Sequence, residues 1–302
     1  MRSRRWLVGA LALVLLAAAC SSSKKSTSTA TTAASGGTAT TAASGSGLKL
    51  DKPIKVVLLA EIVGESAIAV NYYIQELGSK KIGFMGTNES YGNASLAGFK
   101  SAMAAANLTP YAIQQYSPTA TDLTAAVLAM KGADAVVNYG YPNPVAVQLK
   151  QFQQNGLDIP TISGGSSFIV VQQKLATGAA VAKLYASTAC NPTGSTDPAM
   201  QSFTQTYQQR FNETPGQEAA VTYDSLFVLK AAIEQAGSAD PAKVNDALSS
   251  VKVSSGVICQ PDYHADGAHI MGHTVTISSF ASDGSSKIVK TSSIPDQAKA
   301  SS

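Results

Sequence analysis

Charge is scarce in this 302-residue chain: Asp, Glu, Lys and Arg make up only 14% of it. Its surface must therefore be built from Ser, Thr, Asn, Gln and Gly. The 22 basic residues exceed the 19 acidic ones by three, but Arg2, Arg4 and Arg5 lie in a segment expected to be removed. Without them the balance is zero, so there is no basic excess to grip nucleic acid and no acidic solvating tail. Three cysteines are too few for a disulfide-rich scaffold. No GxSxG, Walker loop or GxGxxG after a strand occurs. Nor do the scattered carboxylates offer a pair to assign as acid and base. His264, His269 and His273 crowd into HADGAHIMGH, but their spacing fits neither HExxH nor paired CxxC forms. They are read as surface histidines; no catalysis, metal or cofactor is expected. What is plentiful is apolar residue, 45% of the chain, enough for a real core and, at this length, for about two domains.

The first residues form an address. Met-Arg-Ser-Arg-Arg-Trp precedes LVGALALVLLAAA and then Cys20, a basic region followed by a 13-residue apolar run and small residues. A membrane-spanning helix needs about 20 residues, so this run is too short to be one. The ending Ala17-Ala18-Ala19-Cys20 resembles a bacterial lipobox, with Ala17 where Leu is preferred. That resemblance implies lipid attachment to the Cys20 sulfur and cleavage before it, leaving 1–19 as signal peptide. An ordinary secretory signal with an incidental Cys20 is the plainer alternative. Segment 20–48 is a low-complexity tether in which TATTAASG occurs twice, from Thr29 and from Thr38. It offers nothing large and apolar to bury, and its root-mean-square reach is roughly 30 Å.

From Lys49 onward strands alternate with helices. The β-branched run Ile54–Ala60 predicts a buried strand, and helical spacing follows from Glu65 to Leu77, stopped by Gly78. Further strands are expected at Lys81–Met85, Tyr111–Tyr116, Ala135–Asn138, Pro160–Ser163 and Lys183–Thr188. Helices are expected at 90–106, at 122–130 with Thr121 as N-cap, and at 145–154. This alternation predicts a parallel sheet covered on both faces. The rhythm then breaks into three consecutive helices, 198–211, 217–236 and 241–251, and a strand-like tail from Ile270 to Val289 that turns at Gly284. Two lobes, with the chain crossing between them, fit that order.

Several stretches resemble a known family. PIKVVLLAEIVG is similar to the first strand of the branched-chain amino acid (Leu/Ile/Val-type) solute-binding proteins of ABC importers. LGSKKIGFMGTNESYG resembles the strand and Tyr-Gly turn opening their second lobe. YSPTATDLTAAVLAMKGADAVVNYGYPNPVAVQLKQFQQNGLDIPTISG resembles the following βαβα stretch, and FTQTYQQRFNETPGQEAAVTYDSLFVLKAAIEQAG their late helices, with the Tyr223-Asp224 pair. The resemblance implies a periplasmic-binding-protein type I fold of class α/β, with one near-complete Rossmann-like parallel-sheet lobe and a truncated partner lobe. Segment 49–78 is then a remnant of lobe 1 (first strand and helix), 79–188 is lobe 2, and 189–302 holds the helices and C-terminal strands that complete both. Only about twenty residues separate the opening strand from Lys81, so about three βα units of lobe 1, at ~30 residues each, are missing.

The resemblance also implies site residues. Tyr91 and Tyr141 fall on the two aromatics that line the family's ligand pocket, and Ser166 stands where a Glu often holds the ligand ammonium. The missing lobe 1 units carry the contacts to the ligand α-carboxylate and α-amino groups. Losing three such hydrogen bonds removes about 5–9 kcal/mol, against about 8 kcal/mol for a micromolar binder. Millimolar affinity or none is then expected, unless a second chain supplies that wall. Cys190 and Cys259 fall in segments that cross near the family's hinge; a disulfide and two free buried thiols are both open readings. The expectation is a lipid-anchored, exported solute-binding protein that passes an amino acid or amide to an ABC permease. The alternative is a degenerate lipoprotein serving as an interaction or structural protein.

Overall fold

The computed structural model describes residues 62–265 and 272–294, which belong to one compact unit. The expected signal peptide, Cys20, the tether and the strand Ile54–Ala60 lie outside the described residues. Helix α1 (Ile62–Gln75) is followed by βα alternation: β1 (Ile82–Thr87), α2 (Ser90–Ala105), β2 (Ile113–Tyr116), α3 (Thr124–Leu128), β3 (Ala135–Tyr139), α4 (Pro142–Gln154), β4 (Thr161–Ser163), α5 (Ser166–Gln172) and β5 (Leu184–Thr188). Then come α6 (Pro198–Phe211), α7 (Gln217–Ala236), α8 (Pro241–Leu248), a small hairpin of β6 (Lys252–Val253) and β7 (Tyr263–His264), and the strands β8 (Thr274–Phe280) and β9 (Ser286–Ser293).

One seven-stranded sheet organises the molecule, in the order β2-β1-β3-β4-β5-β8-β9. β1 to β5 run parallel, while β8 pairs antiparallel with both β5 and β9. Side chains alternate across it as the pleat requires. Ile82, Phe84 and Val137 pack with Ala69, Val70 and Tyr73 of α1 and Phe99 and Met103 of α2. Met85 and Val136 point the other way, onto Val127 and Phe152 of α3 and α4. The helix assigned from sequence to a lobe 1 remnant thus lies on this sheet, where the Tyr73 hydroxyl donates to the Val136 carbonyl at 3.1 Å. β1 and β3 are buried along their whole length, which is why they read as mostly apolar or small runs, with Asn138 the polar exception in β3.

Local chemistry sets the element ends. α3 is shorter than expected, and Asp122 rather than Thr121 serves its start: Oδ1 accepts from the Thr124 amide at 2.9 Å and from its hydroxyl at 2.6 Å. Those bonds hold the Asp122 carboxyl at about 2. α4 begins three residues earlier than expected because Pro142 suits the first helical turn. α6 and α8 share one entry, an Asp N-cap (Asp197, Asp240) accepting two amides ahead of a proline.

The later helices join the sheet through a knot of hydrogen bonds. Asp224 of α7 is fully buried and accepts from the amides of Ile258 and Cys259, both at 2.7 Å, and from the Tyr263 hydroxyl at 2.9 Å. Burial outweighs these donors and pushes its carboxyl up. Gln260 spans the gap, donating to the carbonyls of Ala189 and Thr274 and accepting from the Thr274 amide. A disulfide, Cys190–Cys259, closes the same junction with Cα atoms 5.2 Å apart. Replacing Asp224 with Ala orphans several buried donors at once and should cost about 3 kcal/mol. A urea midpoint within error of the parent protein's would show the knot to be dispensable.

Helix α7 carries apolar residues around its circumference, yet only Ala220, Asp224, Val228 and Ala232 are buried. Leu226 is 62% exposed, and the rings of Phe211, Tyr207, Phe203, Tyr223 and Phe227 touch in series at 4.6–5.9 Å across α6 and α7.

Candidate functional site

The strand order reverses on either side of β1: the chain goes out to β2, then returns past β1 to β3. Loops leaving β1 and β3 therefore diverge to opposite faces at the carboxyl ends of these strands, the usual position of the ligand crevice in open α/β sheets. Tyr91, in the first turn of α2, and Tyr141, which caps α4, flank that point. Their rings stack with centroids 5.9 Å apart and planes at 28°. Tyr139, the last residue of β3, meets the Tyr91 ring nearly edge-on at 5.9 Å.

Glycines allow this crowding. A Cβ on Gly92 would come within 1.9 Å of the Thr87 carbonyl oxygen, so only glycine lets α2 abut the end of β1 and present Tyr91. A Cβ on Gly140 would come within 2.0 Å of the Tyr116 hydroxyl. Beneath the crevice runs a buried polar chain: Tyr116 Oη donates to Asn138 Oδ1, Asn138 Nδ2 to Gln148 Oε1 at 2.6 Å, and Gln148 Nε2 to Thr161 Oγ1 at 2.9 Å. It ties β2, β3, α4 and β4 together and fixes the floor under the tyrosines.

The crevice is acidic and partly unsatisfied. Burial, then the nearby carboxylates of Glu65 and Glu218 among other neighbours, pushes the Tyr91 phenol well up. Burial, then Glu65, does the same to Tyr139. Burial and Glu89 raise Tyr141. The Tyr139 hydroxyl faces Ser187 without completing a hydrogen bond to it, and the Ser163 hydroxyl at the end of β4 is likewise buried without a partner. Glu65 is held by its backbone, whose carbonyl accepts from Ser187 Oγ at 3.0 Å. Glu218 leans over Gly165, where a Cβ would lie 2.4 Å from its Oε1.

Of the residues named from sequence, Tyr91 and Tyr141 come together. Ser166 lies nearby, but its hydroxyl donates to the Gly140 carbonyl at 2.7 Å and so braces the loop that carries Tyr141. Tyr139, Ser163, Glu65 and Glu218 were not singled out. Tyr139 has a readable signal, since it directly follows the predicted strand Ala135–Asn138 and stands two residues before Tyr141. The glutamates have none, because they arrive from helices 26 residues before and 127 residues after Tyr91. His264 and His273 stack at 4.3 Å beside Asp262, while His269 lies outside the described residues. Among the described residues no three His, Cys, Asp or Glu side chains gather as metal ligands, and no helix is long and apolar enough to cross a membrane.

Comparison with known proteins gives this geometry a context. A family profile described as "Periplasmic binding protein" matches residues 14–285. A search of the curated proteins found no match. Among solved structures, the leucine-binding protein LivK of Thermotoga maritima is 20% identical, with a TM-score of 0.66 over 78% of this chain and 66% of its own. LivJ of Streptococcus pneumoniae, in complex with isoleucine, is 22% identical, with a TM-score of 0.64 over 76% of this chain and 65% of its own. A solute-binding protein of an ABC transporter from Rhodopseudomonas palustris, in complex with 3,4-dihydroxybenzoic acid, is 19% identical, with a TM-score of 0.66 over 78% and 67%. The chain thus spans slightly less than two thirds of the length of the first two.

Proposed function

Because the chain belongs to the periplasmic binding protein family, we propose that it is an exported receptor for a small organic solute, an amino acid or amide, which it passes to an ABC permease. In this reading Cys20 carries the lipid, 20–48 is the tether, and the shorter lobe lacks about three βα units. The observation that carries the reading is the stacked Tyr91–Tyr141 pair at the point where the strand order reverses, above the unsatisfied Tyr139 and Ser163 hydroxyls. Stacked rings give an apolar wall for an aliphatic or planar solute, and buried hydroxyls without partners favour a polar group that completes them. Ser166 acts by bracing the Tyr141 loop.

Thermal melting across a panel of amino acids and amides tests this. A true ligand at a hundred times its dissociation constant adds about 2.7 kcal/mol to the native state and raises Tm accordingly. Tyr141→Ala, an exposed position, should abolish that rise and leave the unliganded Tm nearly unchanged. A flat response to the whole panel at millimolar concentration sinks the proposal. The exposed aromatic series on α6 and α7 favours a second reading, an interaction lipoprotein without a solute. That reading expects the flat panel together with a stable protein complex.

A further inference from the structure

We infer that the outward face of α6 and α7 is an interface on which a second copy of this chain docks about a two-fold axis. Such a dimer goes beyond the receptor reading and forms whether or not the crevice holds a solute. Phe203, Tyr207 and Phe211 recur one turn apart along α6, and Tyr223 and Phe227 along α7; the two rows join where the Phe203 and Tyr223 rings meet at 5.2 Å. Phe211 is 52% exposed, and Leu226, one turn beyond Tyr223, is 62% exposed. Thr222, Tyr223 and Leu226 share the side of α7 turned away from the buried Asp224 and Val228. A monomer seldom leaves an apolar patch larger than about 500 Å² open to water.

Area, symmetry and charge each favour a copy of this chain as the occupant. Helices of 14 and 20 residues, at ~1.5 Å per residue and ~10 Å across, offer about 500 Å² of outward face on each copy. The pair then reaches the roughly 1,000 Å² at which a specific interface begins. A two-fold axis lays each residue near it against its own like, so a charge there would repel itself. The centre of this face is neutral. Arg210, in the last turn, is the single charged residue of α6, and the only charge between Glu218 and Lys230 on α7 is Asp224, which is buried and faces inward. With the axis between Tyr223 and Leu226, the two α7 helices run antiparallel. The Glu218 end of each copy then lies towards the Lys230 end of the other, so opposite charges meet at both rims. A lipid surface would call instead for a basic rim. The exposed charges here, Arg210 and Lys230 against Glu213, Glu218 and Glu234, carry no basic excess.

Sedimentation equilibrium tests this on the chain from Ser21 onward, which retains the whole compact unit Leu48–Ser302. It should pass from one to two chain masses with a micromolar dissociation constant, as an interface of this size gives. Leu226→Lys, and separately Phe211→Glu, should each raise that constant about a hundredfold while the circular dichroism spectrum stays that of the parent. Leu128→Lys, on α3 and 48% exposed, should leave it unchanged. Mixing Leu226→Lys with Leu226→Glu should restore the dimer, the signature of a residue that meets its own copy. A monomer at every concentration up to the solubility limit overturns the inference, whether the face stays bare or residues 49–61 of the same chain take it. So does a dimer that Leu226→Lys leaves intact, one that Leu128→Lys weakens equally, or a mixture that fails to re-form it. Monomers that float with vesicles of phosphatidylglycerol and phosphatidylethanolamine, and cease to in Leu226→Lys, assign the face to a membrane and overturn it too. The receptor reading survives each of these outcomes.

Discussion

Raising the pH from 9 to 11 should strip about 6 kcal/mol from the folding stability. Tyr73, Tyr116, Tyr139 and Tyr263 are each at most 7% exposed. Burial is the first cause that pushes each phenol above its ordinary value of 10, assisted at Tyr263 by Asp224 and opposed at Tyr116 by its bond to Asn138. In the unfolded chain these phenols ionise near pH 10, while in the native state they keep their protons. The native state then binds more protons, so stability is intact below pH 10 and falls as the pH rises past it. Each group contributes about 1.4 kcal/mol of loss at pH 11, and four of them approach the whole stability of an ordinary domain. Urea unfolding at both pH values measures the loss, and ultraviolet absorbance of phenolate shows when the rings ionise. The four should titrate only as the protein unfolds. Tyr73→Phe should reduce the alkaline loss by about a quarter, because its hydroxyl is then gone. Smooth ionisation of all 11 tyrosines in a still-folded protein would refute the account.

The disulfide should be worth about 4 kcal/mol. Cys190 and Cys259 enclose a sequence separation of 69 residues, and a cross-link over that span restricts the unfolded chain by roughly that amount in the loop-entropy treatment. The span holds all of α6, α7 and α8, so the link confines the helices that rest against the sheet. Replacing both cysteines with alanine, or reducing and alkylating the protein, should lower the urea midpoint, with α6 to α8 losing amide protection before β1 to β5. The proposed export would place the chain where such a link persists. An unchanged midpoint, or thiols that react freely in the oxidised protein, would remove the bridge from the account of stability.

Much of the architecture was readable from pattern. The buried runs at Ile82–Thr87 and Ala135–Tyr139 announce central parallel strands, because they are apolar or small over nearly all of their length. Helix starts at Pro198 and Pro241 are written in the Asp-Pro pairs before them. Misread boundaries trace to side chains that compete for the backbone, as Asp122 does at α3. Helix α5 escaped because Ser166–Gln172 is too short to display a period. Within the crevice, the two tyrosines were legible through the family resemblance, each standing after a strand, whereas the acidic ring was not. Glu65 and Glu218 are 153 residues apart, and only the packing of α1 and α7 around one sheet edge brings them to the same ring.

The position of β8 also sets an order of events. Strand β5 bonds on one side to β4 and on the other to β8, a segment that starts 86 residues after β5 ends. A chain leaving the cell from its N-terminus delivers β1 to β5 long before β8 and β9. Until those last strands arrive, Leu184–Thr188 presents bare amides and carbonyls beside a buried apolar face, the arrangement that invites pairing with a stranger. Under the proposed export, the hazard of aggregation therefore lasts until the final moments, and the hairpin of β8 and β9 is the piece that ends it.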